Sequence, residues 1–468
     1  MGCCSSKGGD AKSLGKSEPI GFRRTSSMYV TTKGTVEDHT PPKLDSDGRL
    51  APDEVQKRIT VSESVSTTTV GEDEKTEIKY ATLTQRGYYP DIPGKQNQDA
   101  HSITLTFGGE TTDAMFIVCD GHGASGHDCA RFANKDLPRS IAKFVRQTRS
   151  QHYISKLKEE GKSTKGAFKP ELWPLLEVEE YEDCCRKGFA ETNKTLHDDK
   201  KINDKLSGTT AVAVSFHRGR MTVCNVGDSR ALLGHFNEDG ILPIPLSKDQ
   251  TPYRKDERDR VQALGAEIKS IDQLKGREEM HEDWGDMIHG ELVNPNRDPP
   301  RVWAKGNDFP GTAFTRSIGD SVAKNIGVSA EPEIVTRTLT ENDKFLVIAS
   351  DGLFEFLTNK EVCSIVEESD DAVDACQKLR EAAYSQWVEN EDRVDDITIV
   401  VCFLNNTTPP DLNAIGTTED LVSEVGSFYG TPGERDLSVK SEDEEKDGNN
   451  NVLPCGLDLC LGSGSGGD

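Results

Sequence analysis

The sequence lacks most of the features that mark membrane, secreted and nucleic-acid-binding proteins. Hydrophobic residues make up only 34% of the chain, whereas globular proteins have about 45–50% with glycine included. It contains no apolar run long enough to span a bilayer and no secretory signal. Acidic residues number 81 against 56 Lys and Arg, a net charge of −25, which argues against nucleic acid as a partner. We therefore expect a folded core flanked by polar segments.

Motifs for zinc, for nucleotides and for repeats are also missing. The twelve cysteines include no C-x-x-C pair, so we expect reduced thiols in a cytosolic protein. The chain has no G-x-x-x-x-G-K-[ST] loop, so nucleotide-driven transfer is not indicated. No internal repeat is visible.

Composition divides the chain into three parts. Residues 1–78 are rich in Ser, Thr, Gly, Lys and Asp, and we expect them to be disordered. Residues 79–404 contain the periodic apolar segments and are predicted to form a single catalytic domain. Residues 405–468 return to low complexity, and we expect a second disordered tail that is acidic.

The apolar segments of the domain predict an α+β fold. Length and β-branched content predict strands at 115–120, 210–216, 221–233, 333–339, 344–351 and 397–404. Helical patterns cover 126–147 (broken or kinked at Pro138), 172–199 and 371–389, with shorter ones at 255–265 and 359–368. The strands cluster irregularly between long helices, which favours antiparallel sheets with helices packed outside.

Aspartates recur where the predicted strands begin or end. Each of them alone could serve a turn or a helix cap. Several together would form an oxygen-rich site for magnesium or manganese. Two such ions bridged by a carboxylate make hydroxide at neutral pH, and a phosphoester is the natural substrate. The positions are Asp99, Asp120, Asp228, Asp351 and Asp395.

The stretch "MFIVCDGHGASGH" adds a proton-transfer group to this pattern. Asp120 ends an apolar strand, and Gly121 lets the carbonyl approach a ligand closely. His122 follows directly and can move a proton near neutral pH. An ordinary turn followed by a structural histidine is the alternative reading of these residues.

Eight ordered motifs resemble those of the metal-dependent type 2C protein serine/threonine phosphatases. They are "NQDAH", "VCDGHGASGH", "SGTTAVAV", "NVGDSRA", "PGTAFTRSIGD", "SAEPEI", "IASDGLFEFL" and "DDITIVV". The resemblance implies a four-layer α-β-β-α sandwich of two antiparallel sheets flanked by helices. It also implies hydrolysis of phosphoserine and phosphothreonine in proteins by a metal-bridged hydroxide.

The resemblance also assigns roles to the aspartates. Asp120 would bridge two Mg²⁺ or Mn²⁺ ions, and the carbonyl of Gly121 would bind one of them. Asp351 and Asp395 would hold the other ion. Asp99 would contact the metals or lie beside them.

Two further roles follow from the same resemblance. His122 would be the general acid that protonates the leaving alkoxide. Asp228 would contribute to a weaker third metal site.

Two positions depart from the family pattern. Gln98 stands where many members carry Glu, and a neutral amide can still orient a metal-bound water. Gly94 stands where members often carry the Arg that holds the substrate phosphate. Lys95 is the first candidate to hold the substrate phosphate instead of that Arg, and Arg86 is the second. Lys95 could equally be an ordinary exposed lysine.

Two segments resemble insertions, at 150–173 and 272–300. The second lies where the family has a variable flap beside the cleft. It would select substrates, or it would be a solvated loop.

The N-terminus carries a separate signal. "MGCCSS" matches M-G-x-x-x-[ST], which predicts myristate on Gly2 and palmitate on Cys3 or Cys4. Residues 1–36 hold six Lys and Arg against two acidic residues, which suits an anionic inner leaflet. We expect a cytoplasmic protein anchored peripherally to membranes by these lipids; chance matches in a disordered tail are the alternative.

The sequence therefore predicts an enzyme that acts on phosphoproteins, and we expect a monomer. Two other classes stay open at this point. An inactive, phosphatase-like scaffold would need a lost metal aspartate, and none is lost. A metal-binding signalling module without chemistry is disfavoured by the Gly-His pair.

Overall fold

The apolar runs of the sequence form two large antiparallel sheets in the computed structural model. The structure describes residues 42–45, 49–62, 64–71, 75–107, 113–164, 172–217, 220–284, 286–288, 291–293 and 298–406. The first sheet has seven strands in the order β1-β3-β19-β18-β9-β10, with β2 also paired to β3. These strands are β1 (Ile59–Val61), β2 (Ser66–Val70), β3 (Thr76–Gln85), β9 (Arg230–Asn237), β10 (Gly240–Pro245), β18 (Asp343–Ala349) and β19 (Ile397–Asn406).

The second sheet also has seven strands, in the order β16-β6-β5-β7-β8-β17, with β4 paired to β5. They are β4 (Asp99–Leu105), β5 (Ala114–His122), β6 (Gly208–Thr209), β7 (Ala211–His217), β8 (Arg220–Val226), β16 (Ile318–Gly319) and β17 (Glu333–Thr338). Two smaller sheets stand apart. They consist of β11 (Ala266–Lys269), β14 (Arg301–Ala304) and β15 (Pro310–Thr312), and of β12 (Asp286–Ile288) with β13 (Glu291–Val293).

Long helices cover the outer faces of both sheets. The helices are α1 (Pro52–Gln56), α2 (Gly126–Glu159), α3 (Val178–Asp198), α4 (Lys255–Ala263), α5 (Ile271–Leu274), α6 (Ser321–Lys324), α7 (Asp351–Phe354), α8 (Asn359–Glu367) and α9 (Ala372–Asn390). Helices α2 and α3 pack together against the second sheet, and α7, α8 and α9 pack against the first. The described part of the chain has no helix long and apolar enough to cross a membrane.

Strand β19 shows why such a fold requires continuous apolar runs. Ile399 and Val401 face the core beneath α9, whereas Val400 and Cys402 face the core between the sheets. Successive side chains point to opposite faces of a strand, so a strand buried on both faces has no polar positions. The predicted fold class, an α+β four-layer α-β-β-α sandwich, is confirmed.

Three predictions about elements need correction. The run 221–233 is two strands, β8 and β9, rather than one. Helix α2 is not broken at Pro138 and continues to Glu159, so the predicted insertion at 150–173 begins as its last turns. Pro138 has no N–H for the carbonyl of Asn134, and the Ser102 hydroxyl donates to that carbonyl instead, at 3.2 Å.

The expectation that all of residues 1–78 are disordered is wrong for part of that range. Helix α1 and strands β1 and β2 lie within it, and β3 begins at Thr76. Strands β1 and β2 both pair with β3. Residues 1–41 and 407–468 lie outside the described residues, so the predictions made for them stay predictions.

The cysteines of the described residues are buried thiols. Eight of them are unpaired and buried. Burial raises the pKa of the Cys402 thiol well above its ordinary value, and a thiol that stays protonated is a poor nucleophile. The catalytic chemistry must therefore come from other side chains.

Candidate active site

Strand ends from both sheets meet at one end of the sandwich and form a cleft. Asp99 at the start of β4 lies directly opposite Asp120 near the end of β5. Asp351 begins α7 immediately after β18, and Asp395 lies two residues before β19. Seven predicted site residues line this cleft, namely Lys95, Asp120, Gly121, His122, Asp228, Asp351 and Asp395.

The backbone of Asp120 is fixed by the neighbouring strand. Its N–H donates to the Thr210 hydroxyl at 2.9 Å. Its carbonyl accepts from the Thr210 N–H at 2.8 Å and from the Thr209 hydroxyl at 2.9 Å. The carboxylate is thus presented from a rigid support, as a metal ligand requires.

Only glycine fits at position 121. A Cβ there would lie 2.2 Å from the carbonyl oxygen of Gly126 and 2.7 Å from that of Gln98. The Gly121 N–H donates to the same Gln98 carbonyl at 3.1 Å. The tight turn from β5 into α2 therefore requires the glycine that follows the aspartate.

The cleft concentrates buried carboxyl groups that repel one another. The pKa of Asp120 is raised well above its ordinary value by burial and then by the charges of Asp351, Asp99 and Asp395. Burial, followed by the charge of Asp396, raises the pKa of Asp99 in the same way. Like charges in a desolvated site disfavour ionisation unless a cation is present.

Asp99 supplies a second indication of a cation site. Its Oδ2 accepts from the Ser350 hydroxyl at 2.8 Å. Its Oδ1 is buried and has no hydrogen-bond partner among the residues that the structure describes. Buried polar atoms are almost always satisfied, and oxygen ligands are what Mg²⁺ and Mn²⁺ take. The donor set of this cleft thus fits the predicted ions.

The adjacent residues Asp395 and Asp396 make different contacts. Asp396 accepts from the backbone N–H groups of Gly87, at 2.7 Å, and Gln98, at 2.8 Å, and so holds the loop between β3 and β4. Asp395 lines the cleft and accepts from the Tyr89 hydroxyl. Its carboxylate is therefore the one available to a metal.

His122 is held by a carboxylate that the sequence analysis did not single out. Its Nε2 lies 2.6 Å from Oδ2 of Asp320, and its ring packs on that of Phe314 with centroids 4.2 Å apart. Asp320 has left-handed backbone angles, φ 51° and ψ 49°. A Cβ on Gly208 would lie 2.1 Å from that same carboxylate oxygen. The Gly-Asp of "PGTAFTRSIGD" was the available signal.

Lys95, rather than Arg86, lies at the cleft. The Lys95 ammonium is 3.8 Å from the centre of the Tyr89 ring. Burial raises the pKa of Asp395, but the charges of Lys95 and Arg393 outweigh burial and hold that pKa below its ordinary value. Arg86 does not line the cleft.

The Gln98 side chain donates a hydrogen bond that an ionised glutamate could not donate. Its Nε2 donates to the carbonyl of Gly123 at 2.7 Å, and Gly123 has φ of +85°. The Gln98 Oε1 is buried, with no hydrogen-bond partner within the described ranges. The amide thus fixes the loop between β5 and α2, a role that the sequence did not indicate.

Asp228 lies in the turn between β8 and β9. The turn is held by the Gly227 N–H, which donates to Oε1 of Gln250 at 2.7 Å. Asp228 lines the cleft together with Asp120 and Asp351.

A second acidic cluster lies outside the cleft and is filled by arginines. Carboxylate oxygens of Asp256, Glu257 and Glu333 come within 4.8 Å of one another. Arg254 bonds both Asp256 and Glu333. The buried Glu257 is bonded by two other arginines, Arg260 and Arg316. This cluster is structural, because its charges are already neutralised.

Comparisons with known proteins agree with the geometry. The family model described as Protein phosphatase 2C matches residues 94–392. The chain is 38% identical over 326 residues to "Probable protein phosphatase 2C 35" of Arabidopsis thaliana, covering 69% of this chain and 83% of that protein. It is 30% identical over 341 residues to "Probable protein phosphatase 2C 73" of Oryza sativa subsp. japonica, covering 71% and 76%.

A solved structure supports the fold. The crystal structure of serine-threonine phosphatase 2C from Toxoplasma gondii superposes with a TM-score of 0.52 at 15% identity, covering 74% of this chain and all of that one. Together with the family match, this establishes that the chain belongs to the type 2C protein phosphatases and is a metal-dependent protein-serine/threonine phosphatase.

Proposed function

We propose that the cleft hydrolyses phosphoserine and phosphothreonine with two bound Mg²⁺ or Mn²⁺ ions and with His122 as general acid. The observation that carries this proposal is the meeting of carboxylates from both sheets beside one buried histidine. Asp99 and Asp120 come from the second sheet, and Asp351 and Asp395 come from the first. No single sheet supplies this set.

The residues that would hold the two ions are Asp120, Asp351, Asp395 and the carbonyl of Gly121, with Asp228 at a weaker third site. When bound, the ions supply hydroxide at neutral pH and neutralise charge on the phosphate. Asp99 lies behind Asp120 and orients the site through its bond with Ser350.

His122 donates the proton that the leaving oxygen needs. Its Nε2 lies against the Asp320 carboxylate, which orients the ring; the imidazolium is the form that can act as an acid. The opposite nitrogen, Nδ1, then carries the proton that passes to the serine or threonine oxygen as the P–O bond breaks.

Lys95 holds the phosphate. Its ammonium lies against the Tyr89 ring, which limits its freedom and directs a positive charge into a mostly acidic cleft. A point charge of this kind binds phosphate without the bidentate geometry of Arg. Lys95→Ala should raise KM more than it lowers kcat.

The test of this function is hydrolysis of a phosphothreonine peptide by the purified chain in manganese. Asp120→Asn and Asp351→Asn should each abolish metal-dependent turnover while the circular dichroism spectrum stays unchanged. Chelator should abolish wild-type turnover. Rates near wild type in either variant at saturating manganese would refute the assignment.

We further propose that lipids anchor the enzyme to the cytoplasmic face of membranes and that it acts as a monomer. Gly2, Cys3 and Cys4 lie outside the described residues, so the support is the motif and the basic composition of residues 1–36. One acyl chain holds weakly and two hold stably.

Fractionation of cells tests the anchor. Gly2→Ala should release the protein to the cytosol, whereas Cys3→Ser with Cys4→Ser should leave weak, exchangeable binding. Ser26 follows two arginines, and its phosphorylation would add about −1.5 to −2 charges, which should weaken binding only where a single lipid is present. A Gly2→Ala protein that stays on membranes would refute the anchor.

Light scattering of the purified protein measures its oligomeric state and so tests the proposed monomer.

A further inference from the structure

Helix α2 is basic in an otherwise acidic protein. Between residues 126 and 159 it has eight Lys and Arg against three Asp and Glu, whereas the whole chain carries a net charge of −25. Charge of one sign collected on one element creates a local field that attracts the opposite charge. The position of these cations therefore bears on what the enzyme binds.

Some of these cations line a groove between α2 and β4. On the helix side the groove presents Lys135, Arg139 and Arg146, and all three are exposed. On the strand side it presents the hydroxyl side chains of Ser102, Thr104 and Thr106. The alternation of a strand places every second residue on one face, so the three hydroxyls form one wall.

The cations of the groove have no acidic partner within the described ranges. The neighbouring Lys143, which faces α3, is paired with Glu191 at 2.7 Å. The nearest carboxylate on the helix, Asp136, accepts instead from the hydroxyls of Ser140 and Thr195. No ion pair joins Lys135, Arg139 or Arg146 to any carboxylate that the structure describes. Their positive charges are therefore available to a ligand.

Strand β4 is also a sheet edge. It pairs with β5 along its whole length, and its other side carries no strand in the described part of the chain. An edge strand offers N–H and C=O groups to an extended peptide, which then joins the sheet. On β4 the His101 carbonyl already accepts from the Asn134 side chain at 3.0 Å, so the peptide would pair with the part of the strand beyond it. The groove thus combines backbone pairing with recognition of negative side chains.

We propose that this groove binds an acidic, extended segment of the phosphoprotein substrate, a proposal that rests on the function given above. β4 begins at Asp99 in the site, and a strand advances about 3.3 Å per residue. Ser102 therefore lies about 10 Å, and Thr106 about 23 Å, along the strand from the site. That span corresponds to acidic residues about three to seven positions from the phosphorylated residue.

The experiment compares two phosphothreonine peptides that differ only at positions about three to seven on either side of the phosphate. One peptide carries Glu at these positions and the other carries Gln. The wild-type enzyme should show kcat/KM about tenfold higher on the Glu peptide at low salt, through KM, and the preference should shrink in 0.5 M salt because exposed charges are screened.

The variant that tests the groove is Lys135→Ala with Arg139→Ala. Its preference for the Glu peptide should fall to about twofold or less. The control is Lys156→Ala with Lys158→Ala, which removes the same charge from the end of the same helix and should keep the preference. Both double variants should hydrolyse an activated aryl phosphate at the wild-type rate, because that substrate does not reach the groove.

Binding separates failure of the groove from failure of the proposed chemistry. A fluorescent peptide with the Glu positions and no phosphate should bind wild-type enzyme in chelator and bind the groove variant at least fivefold more weakly. Equal binding by the two enzymes would overturn the proposal even if both are active phosphatases. If the chain's own acidic run at 442–447 fills the groove, the wild type will not distinguish the peptides, which would also overturn it.

Discussion

At the His122 ring, the contact with Asp320 decides which nitrogen keeps its proton. The 2.6 Å separation between Nε2 and the carboxylate orients the ring. Asp320 does not itself reach the substrate, so it is a positioning residue. Its importance should therefore appear as a loss of rate that grows with the leaving group's need for a proton.

His122→Ala should slow hydrolysis of a phosphopeptide by about 10²–10⁴-fold. It should slow an activated aryl phosphate much less, because that leaving group needs little protonation. Asp320→Asn should give a smaller loss of the same kind, again larger on the phosphopeptide than on the aryl phosphate. Steady-state kinetics on both substrates measure this, and equal losses on the two would exclude the general-acid role.

Gln98→Glu should destabilise the metal-free protein by about 1–3 kcal/mol. The substitution removes the N–H donor to the Gly123 carbonyl and adds a carboxylate beside Asp120. Urea denaturation in chelator measures the change, with Gln151→Glu on the exposed surface of α2 as the control. An unchanged midpoint would mean that the amide does not hold the loop between β5 and α2.

The site residues that could be placed from the sequence are those that directly follow an apolar strand. Asp120 and Asp351 each follow an apolar run, so their placement at the sheet ends was predictable. Asp320 and Tyr89 lie in loops, and nothing in their neighbourhood shows what their side chains contact. Their contacts span 198 residues for Asp320 and 306 for Tyr89, and only the fold brings such distant residues together.

At the scale of elements, α4 is fixed to the rest of the domain by one buried carboxylate. Glu257 accepts from Arg260 at 2.7 Å and from Arg316 at 2.7 Å. Burial raises its pKa, but the hydrogen bonds of Arg260 and Arg316 outweigh burial and hold the pKa far below the ordinary value of 4.5. The folded state therefore favours the ionised form.

Glu257→Gln should cost about 3 kcal/mol of stability at pH 7, since it removes the buried carboxylate charge that pairs with the half-buried Arg260 and Arg316. A depressed pKa stabilises the fold above pH 4.5, and this stabilisation is lost as pH falls below that value. The difference between wild type and variant should therefore shrink in acid. Denaturation at pH 7 and at pH 3.5 measures it, with the less buried Glu267→Gln as the control.

The elements that the sequence missed are polar or short. Strand β2 reads Ser-Thr-Thr-Thr-Val and buries only its last residue, so it resembles a disordered segment by composition. It forms because β3 offers an edge for pairing. Strands such as β18 and β19 were predictable because their central runs, 345–349 and 399–404, are apolar and lie between two cores.

At the scale of the whole molecule, the carboxylates of the cleft bring one end of each sheet together, and the proposed ions would tie these ends. Without ions, the carboxylates of the cleft repel one another, and burial of that charge opposes folding. The metal-free Asp120→Asn variant should therefore be about 1–2 kcal/mol more stable than metal-free wild type.

Manganese should reverse that order, because ions that bind only the folded state stabilise it. Thermal melts of both proteins in chelator and in manganese measure this crossover. Wild type that is more stable than Asp120→Asn in chelator would show that repulsion in the cleft is not significant.

Calorimetric titration of chelated, dialysed protein with Mn²⁺ tests the central claim that the aspartates from the two sheets hold a pair of ions. Wild type should bind two ions per chain at the cleft, and Asp120→Asn should lose at least one of them. Asp256→Asn, in the acidic cluster already filled by arginines, should bind as wild type does. An unchanged titration for Asp120→Asn, or a loss of the ions in Asp256→Asn, would contradict the account.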